Sequence, residues 1–280
     1  MRPLLKFFSL TFAVTWTCFI AAIALAGRFG SMDLAGPDFR TPLLYLGTFA
    51  PAFVAVGIIA WDEGRSGIDA LLRRFTWPSA TRWYMFAIGY MAAIKLTVAV
   101  VYRLGTGAWP RFGSDPWYII AVVIVTSTPV QAGEEIGWRG YALPRLAARL
   151  GLARASLLLG LIHACWHLPL FYLPGHGSYG QSFPMYVLGV IGASVAASWL
   201  YANTNGSLLM TMLLHSAWNQ TVGIVPSADP VATNPFALSA SLVGWLTVAI
   251  LWIPTAYFLV RMRHIELSAS EPTTATAVRT

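Results

Sequence analysis

The chain has 280 residues, 57% of them hydrophobic and only 10% charged, with a mean hydropathy of +0.63. A soluble domain would carry roughly a quarter charged residues, so that class is excluded. The net charge of +7 does not call for nucleic acid, because basic residues flanking membrane spans give the same excess.

Apolar runs near the ~18–20 residues that cross a bilayer recur along the chain. They predict an all-α, polytopic transmembrane helix bundle of about eight spans, near residues 5–26, 43–61, 83–103, 117–143, 154–173, 184–202, 207–225 and 237–260. The first run follows Arg2 and Lys6 and ends near Ala24-Leu25-Ala26, partly like a cleavable signal. Its length exceeds the roughly 7–15 residues of a signal core, which favours an uncleaved span. The stretch from Asp62-Glu63 to Arg73-Arg74 is expected to be a solvated loop with a short interfacial helix. Lys95, alone in the third span, is expected to snorkel or pair locally.

The fourth run holds two adjacent carboxylates, Glu134 and Glu135, with Arg139 at i+4 from the second. One ionisable residue at membrane depth costs about 2.5–3.5 kcal/mol, so a pair points to function. Pro129, just upstream, removes a backbone donor and is expected to kink this span. The fifth run carries His163 and His167, and the seventh His215 and Asn219, each pair at i, i+4 on one helix face. His176 and His264, by contrast, fall in a loop and at a helix end and are expected to be solvated. Trp and Tyr recur near span ends, as interfacial anchors do. Cys18 and Cys165 lack the C-x-x-C spacing of a metal cage and are too few for a disulfide framework. One membrane-embedded domain is expected over 1–267, with its motif core at 133–219 and a disordered polar tail at 268–280.

Charge fixes the expected orientation. With the amino terminus cytoplasmic, the inner segments hold eleven basic residues: Arg2, Lys6, Arg65, Arg73, Arg74, Arg82, Arg145, Arg149, Arg154, Arg261 and Arg263. The outer segments hold four: Arg28, Arg40, Arg103 and Arg111. This bias predicts both termini inside, in the plasma membrane of a bacterial-type cell. Glu134 then lies roughly 16 Å from the inner end of its span, and His163 and His167 roughly 14 and 20 Å deep. His215 and Asn219 fall at about the same two depths, so three antiparallel crossings bring their polar groups to one layer. Glu135 and Arg139 can pair, while Glu134 points about 100° away, free to take a proton from water.

The stretch Gly133-Glu134-Glu135-Ile136-Gly137-Trp138-Arg139-Gly140-Tyr141 resembles the first motif of the CAAX prenyl protease and bacteriocin-processing family of intramembrane endopeptidases. His163-Ala164-Cys165-Trp166-His167-Leu168-Pro169 is similar to its second motif, and His215-Ser216-Ala217-Trp218-Asn219 to its third. The order is the family's. The family's second motif is F-x-x-x-H, which fits with His167 as the motif histidine and His163 at the aromatic position, or with His163 and Leu159; the Trp-His-Leu-Pro context favours His167.

The resemblance implies an endopeptidase in which Glu134 activates water and a second-motif histidine assists or holds a metal. It implies that His215 and Asn219 bind the oxyanion, and that Glu135 and Arg139 orient and balance charge. A divalent cation such as zinc could be held among His163, His167, His215 and Glu134, although no H-E-x-x-H is present. The partners are a peptide or protein substrate in or at the membrane, and the lipid bilayer. Two other classes compete: a noncatalytic membrane protein (peptide-binding, immunity or scaffold) and a proton-coupled transporter. The transporter lacks a two-halved repeat.

Overall fold

The computed structural model describes residues 2–29, 40–78, 80–227, 234–238 and 240–267, so the expected tail at 268–280 lies outside the described residues. Among them the secondary structure is helical throughout, as the apolar runs predicted. The helices are α1 (Arg2–Phe29), α2 (Arg40–Asp62), α3 (Gly64–Leu72), α4 (Thr81–Thr106), α5 (Trp117–Ser127), α6 (Ala132–Glu135), α7 (Leu143–Leu150), α8 (Leu152–Trp166), α9 (Phe183–Asn203), α10 (Leu208–Thr221) and α11 (Leu242–Arg261). Among the described residues seven stretches are long and apolar enough to cross a membrane, which makes this an integral membrane protein. The expected seventh span is not one of them because its helix is short, yet it still joins the two faces: the Leu208 N–H donates to the Arg74 carbonyl before α4, and the Ile224 carbonyl accepts from the Gly113 N–H after α4. Its helix, α10, has 14 residues, about 21 Å at the α-helical rise, against a hydrocarbon core of about 30 Å. It is a central helix: nine of its 14 residues are buried, and it packs against α4, α5 and α9.

Serines start the helices around the site. The hydroxyls of Ser182, Ser207 and Ser241 accept hydrogen bonds from the backbone N–H of Met185, Met210 and Gly244, capping α9, α10 and α11. Between α7 and α8 the chain reverses at one residue, Gly151, whose φ of 73° suits glycine. Helices α8 and α9 meet closely at Gly160, where a Cβ would stand 2.8 Å from the Ile191 Cα.

The pairing of α1 and α2 follows from a proline. Pro51 lies inside α2 and has no N–H for the carbonyl of Gly47. The buried hydroxyl of Thr15 on α1 donates to that carbonyl at 2.8 Å. Helix α1 is thus held in the core, where Phe7 packs against Trp138 and Tyr141, and Phe19 against Trp166.

The fourth crossing, Trp117–Leu150, changes its winding four times. After α5 comes a 3₁₀ turn at Thr128–Gln131, with Pro129 as its second residue, and after α6 a π-helical turn at Ile136–Ala142, which gives way to α7. The hydroxyls of Ser127 and Thr128 donate back to the carbonyls of Val123 and Ile124, at 2.6 and 2.7 Å. The kink expected from Pro129 therefore takes the form of a tightened turn followed, one short helix later, by a widened one.

Of its two expected fates, Lys95 pairs rather than snorkels: it is fully buried, and its ammonium donates to the hydroxyls of Ser227 and Thr247. Trp138 and Trp166 are core residues rather than interfacial anchors, whereas Trp61, Trp77 and Trp117 stand exposed near span ends.

The π-turn lies directly on α2. A Cβ at Gly137 would sit 2.7 Å from the Pro51 carbonyl oxygen, a backbone atom, whereas one at Gly133 would meet only the Phe49 ring at 2.9 Å. Gly137→Ala is therefore expected to destabilise the protein by about 1–3 kcal/mol, and by more than Gly133→Ala, since a ring can turn and a backbone cannot. Thermal unfolding of the two variants in detergent checks this; equal melting temperatures would contradict the close-contact argument.

Candidate active site

Glu134 and Glu135 end the four-residue α6, with 6% and 1% of their surface exposed. They face different neighbours. Glu134 Oε2 lies 2.7 Å from His163 Nε2 on α8, and Glu135 Oε1 lies 2.9 Å from His215 Nδ1 on α10. Arg139, from the π-turn, donates to the same Glu135 oxygen at 2.9 Å and is itself 3% exposed. The ion pair expected at i, i+4 is present. The expectation that Glu134 stands free is corrected: its carboxylate is held by an imidazole.

His167 adds a further constraint. Its Nδ1 lies 3.1 Å from the carbonyl of His163, and a carbonyl can only accept, so Nδ1 carries the proton and donates. Nε2 is left with its lone pair. One ligand atom each from Glu134, His163 and His167 lie within 4.8 Å of one another. Two imidazole nitrogens and a carboxylate oxygen, one imidazole fixed by a backbone hydrogen bond, form the donor set of an open metal site. His215 is outside this cluster, with its Nδ1 turned to Glu135. Both histidines of the second motif reach Glu134, His163 by direct hydrogen bond and His167 as a member of the cluster.

These groups line a cavity of about 150 Å³, room for several water molecules. Its histidines pack against buried aromatic rings. The Trp138 ring lies 5.0 Å from that of His163, and the Trp166 ring meets that of His167 edge-on at 4.5 Å. The opposite wall comes from α9, through Tyr186, Val190, Ala193, Ser194 and Ala197. Asn219 lines the cavity one turn beyond His215 and is exposed, so it stands at the rim. Buried Glu135 Oε2 and Arg139 Nε have no hydrogen-bond partner among the described residues, which leaves one acceptor and one donor for water or a substrate.

Of the residues singled out in the sequence, Glu134, Glu135, Arg139, His163, His167, His215 and Asn219 all line this one cavity. Lys95 and His264 are not among its lining residues, nor is His176, which is half-buried and accepts a hydrogen bond from the backbone of Ser178. The α9 wall went unseen. Tyr186, whose ring lies 5.6 Å from that of His167, looks like any interfacial tyrosine in the sequence. A signal was nonetheless there: positions 186, 190, 193, 194 and 197 share one helical face and are mostly small.

Comparison with known proteins falls on the same stretch. A family model described as type II CAAX prenyl endopeptidase, Rce1-like, matches residues 114–221. A protein of Methanococcus maripaludis named CAAX prenyl protease 2 is 30% identical over 88 residues, which are 29% of this chain and 32% of that protein. The chain thus spans about a third of the length of the curated relative it matches. The matched segment runs from before α5 to the end of α10 and contains every glutamate, arginine, histidine and asparagine of the cavity, so that over residues 114–221 the chain is similar to the Rce1-like type II CAAX prenyl endopeptidases.

Proposed function

We propose that this protein is an intramembrane endopeptidase that hydrolyses peptide bonds with a water activated by Glu134. The observation that carries the reading is the division of labour between adjacent carboxylates, Glu134 bonded to His163 and Glu135 to Arg139 and His215. A carboxylate held by one imidazole at the edge of a cavity keeps a second oxygen for a water molecule. That water loses a proton to Glu134 as its oxygen attacks the carbonyl carbon. The proton then passes to the departing amine as the C–N bond breaks.

The developing oxyanion needs donors. His215 gives its Nδ1–H to Glu135, which leaves Nε2 for the cavity, and as an imidazolium it donates from there; the Glu135 carboxylate stabilises that form. The Asn219 amide at the rim supplies a second donor. Arg139 offsets the charge of Glu135, so that this carboxylate acts as a holder rather than a second base.

A divalent cation is the second reading, favoured by the cluster of Glu134, His163 and His167. Bound there, it would polarise the carbonyl and lower the pKa of a bound water. It would also displace the proton shared by Glu134 and His163 and turn Glu134 from base into ligand. The substrate is a peptide or protein segment at the membrane. The basic bias of the segments supports a cytoplasmic side for both termini.

The purified chain in liposomes is expected to cleave a peptide substrate, with Glu134→Ala lowering turnover by about 10²–10⁴-fold while the protein stays folded. Turnover equal to wild type would remove Glu134 from the mechanism. Chelation separates the two readings: loss of activity with 1,10-phenanthroline, restored by added zinc, supports the metal form, and activity indifferent to the chelator supports the glutamate form.

Glu135→Gln acts on the fold as well as on turnover. It leaves Arg139 buried without its countercharge, at a cost of about 3–5 kcal/mol. A lower melting temperature than that of Glu134→Ala is therefore expected. Equal melting temperatures would show that Arg139 does not depend on Glu135.

A further inference from the structure

A second cavity, of about 330 Å³, lies where the spans 40–62, 117–150 and 242–264 end on one face of the bundle. Its size falls in the roughly 300–1,000 Å³ range of small-molecule sites. Among its lining residues are Glu63, Arg74, Gly140, Arg145, Ala148 and Leu267. The two arginines differ. Arg145 has both terminal nitrogens engaged: it donates from one to the Tyr141 carbonyl and from the other to Glu63, and its guanidinium sits 3.9 Å above the Tyr141 ring. Arg74 uses a single terminal nitrogen for both of its bonds, to the Gly140 carbonyl and the Tyr201 hydroxyl, each at 2.9 Å. Its Nε and second terminal nitrogen have no hydrogen-bond partner among the described residues. That edge of a guanidinium presents two parallel N–H groups, which fit two oxygens of a phosphate.

The surroundings select the kind of phosphate. Arg65, Arg73, Arg149, Arg154, Arg261 and Arg263 are exposed near the same span ends and outnumber the exposed Asp62, Glu63, Asp69 and Glu266. Leu72 and Trp77, on either side of Arg74, are exposed, as residues dipping into a bilayer surface are. A basic pocket between span ends at a basic membrane face is a site for an anionic headgroup. We propose that this cavity binds the phosphate headgroup of an anionic phospholipid, with Arg74 as its anchor. The bond from Arg74 to the Gly140 carbonyl then connects the headgroup to the π-turn that carries Arg139.

Native mass spectrometry of the full chain, with phosphatidylglycerol or phosphatidylcholine added, tests the site without reference to proteolysis. Phosphatidylglycerol is expected to be retained selectively and to raise the melting temperature, and phosphatidylcholine to do neither. Arg74→Gln is expected to reduce retention on the order of ten- to a hundredfold. Tyr201→Phe, which removes only the neutral partner, is expected to leave it unchanged. Ala148→Trp fills the cavity with Arg74 intact and is expected to abolish retention; it decides the matter if Arg74→Gln fails to fold. Retention surviving Ala148→Trp would overturn the proposal. So would an equal loss on neutralising Arg149 and Arg154 together, which would mean diffuse surface attraction. Inorganic phosphate giving the same stabilisation, and competing the lipid away, would mean a free-anion site instead and would also overturn it.

Discussion

One carboxylate oxygen organises this protein. Glu135 Oε1 accepts from Arg139 of its own crossing and from His215 of α10, both at 2.9 Å, with almost no exposure to solvent. An unpaired carboxylate or guanidinium in so apolar a bundle would cost several kcal/mol, so the two ions have to be buried together or not at all. The addition of His215 turns a pair within one helix into a joint between two. That joint matters because α10 is too short to be set in depth by the bilayer. Its position comes instead from polar contacts: to Glu135, and through the Ser216 hydroxyl to the Ile124 carbonyl at 2.7 Å.

The joint works because the crossing that supplies both glutamates is not a regular helix. In an unbroken α-helix Glu134 and Glu135 stand about 100° apart, and Arg139 lies one turn on from Glu135. The tight turn before α6 and the wide turn after it re-aim these side chains against the flanking helices, so that Glu134 meets α8 while Glu135 meets α10. Insertions of this type recur at functional sites because extra backbone room shifts side chains without breaking the helix. Here the room is bounded by α2, which touches the π-turn at Gly137, and by Arg74, which holds the Gly140 carbonyl. The site is therefore braced from behind by elements that carry none of its reactive groups.

How much of this was legible depends on which physics was local. The crossings were legible because hydropathy and length act along the chain; what those do not show is that α10, which also joins the two faces, is a short and buried central helix. The convergence of Glu134, His163, His215 and Asn219 followed from counting depth at 1.5 Å per residue in alternating directions. Their partners did not follow. That Glu134 is held by His163, and that His167 turns its Nδ1 to a backbone carbonyl, depends on helix rotation, which the turns at 128–131 and 136–142 alter. The partners of Lys95 were hidden for a related reason: sequence shows its depth but not that the stretch after α10 folds in to offer Ser227. The α9 wall was missed because small residues carry no chemistry and mark a cavity only once something faces them.

The cavity has a polarity gradient that bears on the proposed reaction. The exposed Asn219 marks the rim, while the rings of Trp138 and Trp166, each at most 1% exposed, pack against His163 and His167. Charges near the aromatic end interact in a low dielectric, where a fixed donor or countercharge is worth several times its value in water. An amide dipole suffices at the rim, while the inner end needs full charges, and the residues follow that order: Asn219, His215, then the glutamates with Arg139. A peptide entering past Asn219 would move its scissile carbonyl from wet to dry surroundings as it approached Glu134. Attack by water on that carbonyl separates charge, so it is favoured where the stabilising groups are already oriented and cannot relax. The small face of α9 leaves space at that depth, and a bulkier wall would close the cavity before substrate reached the carboxylate.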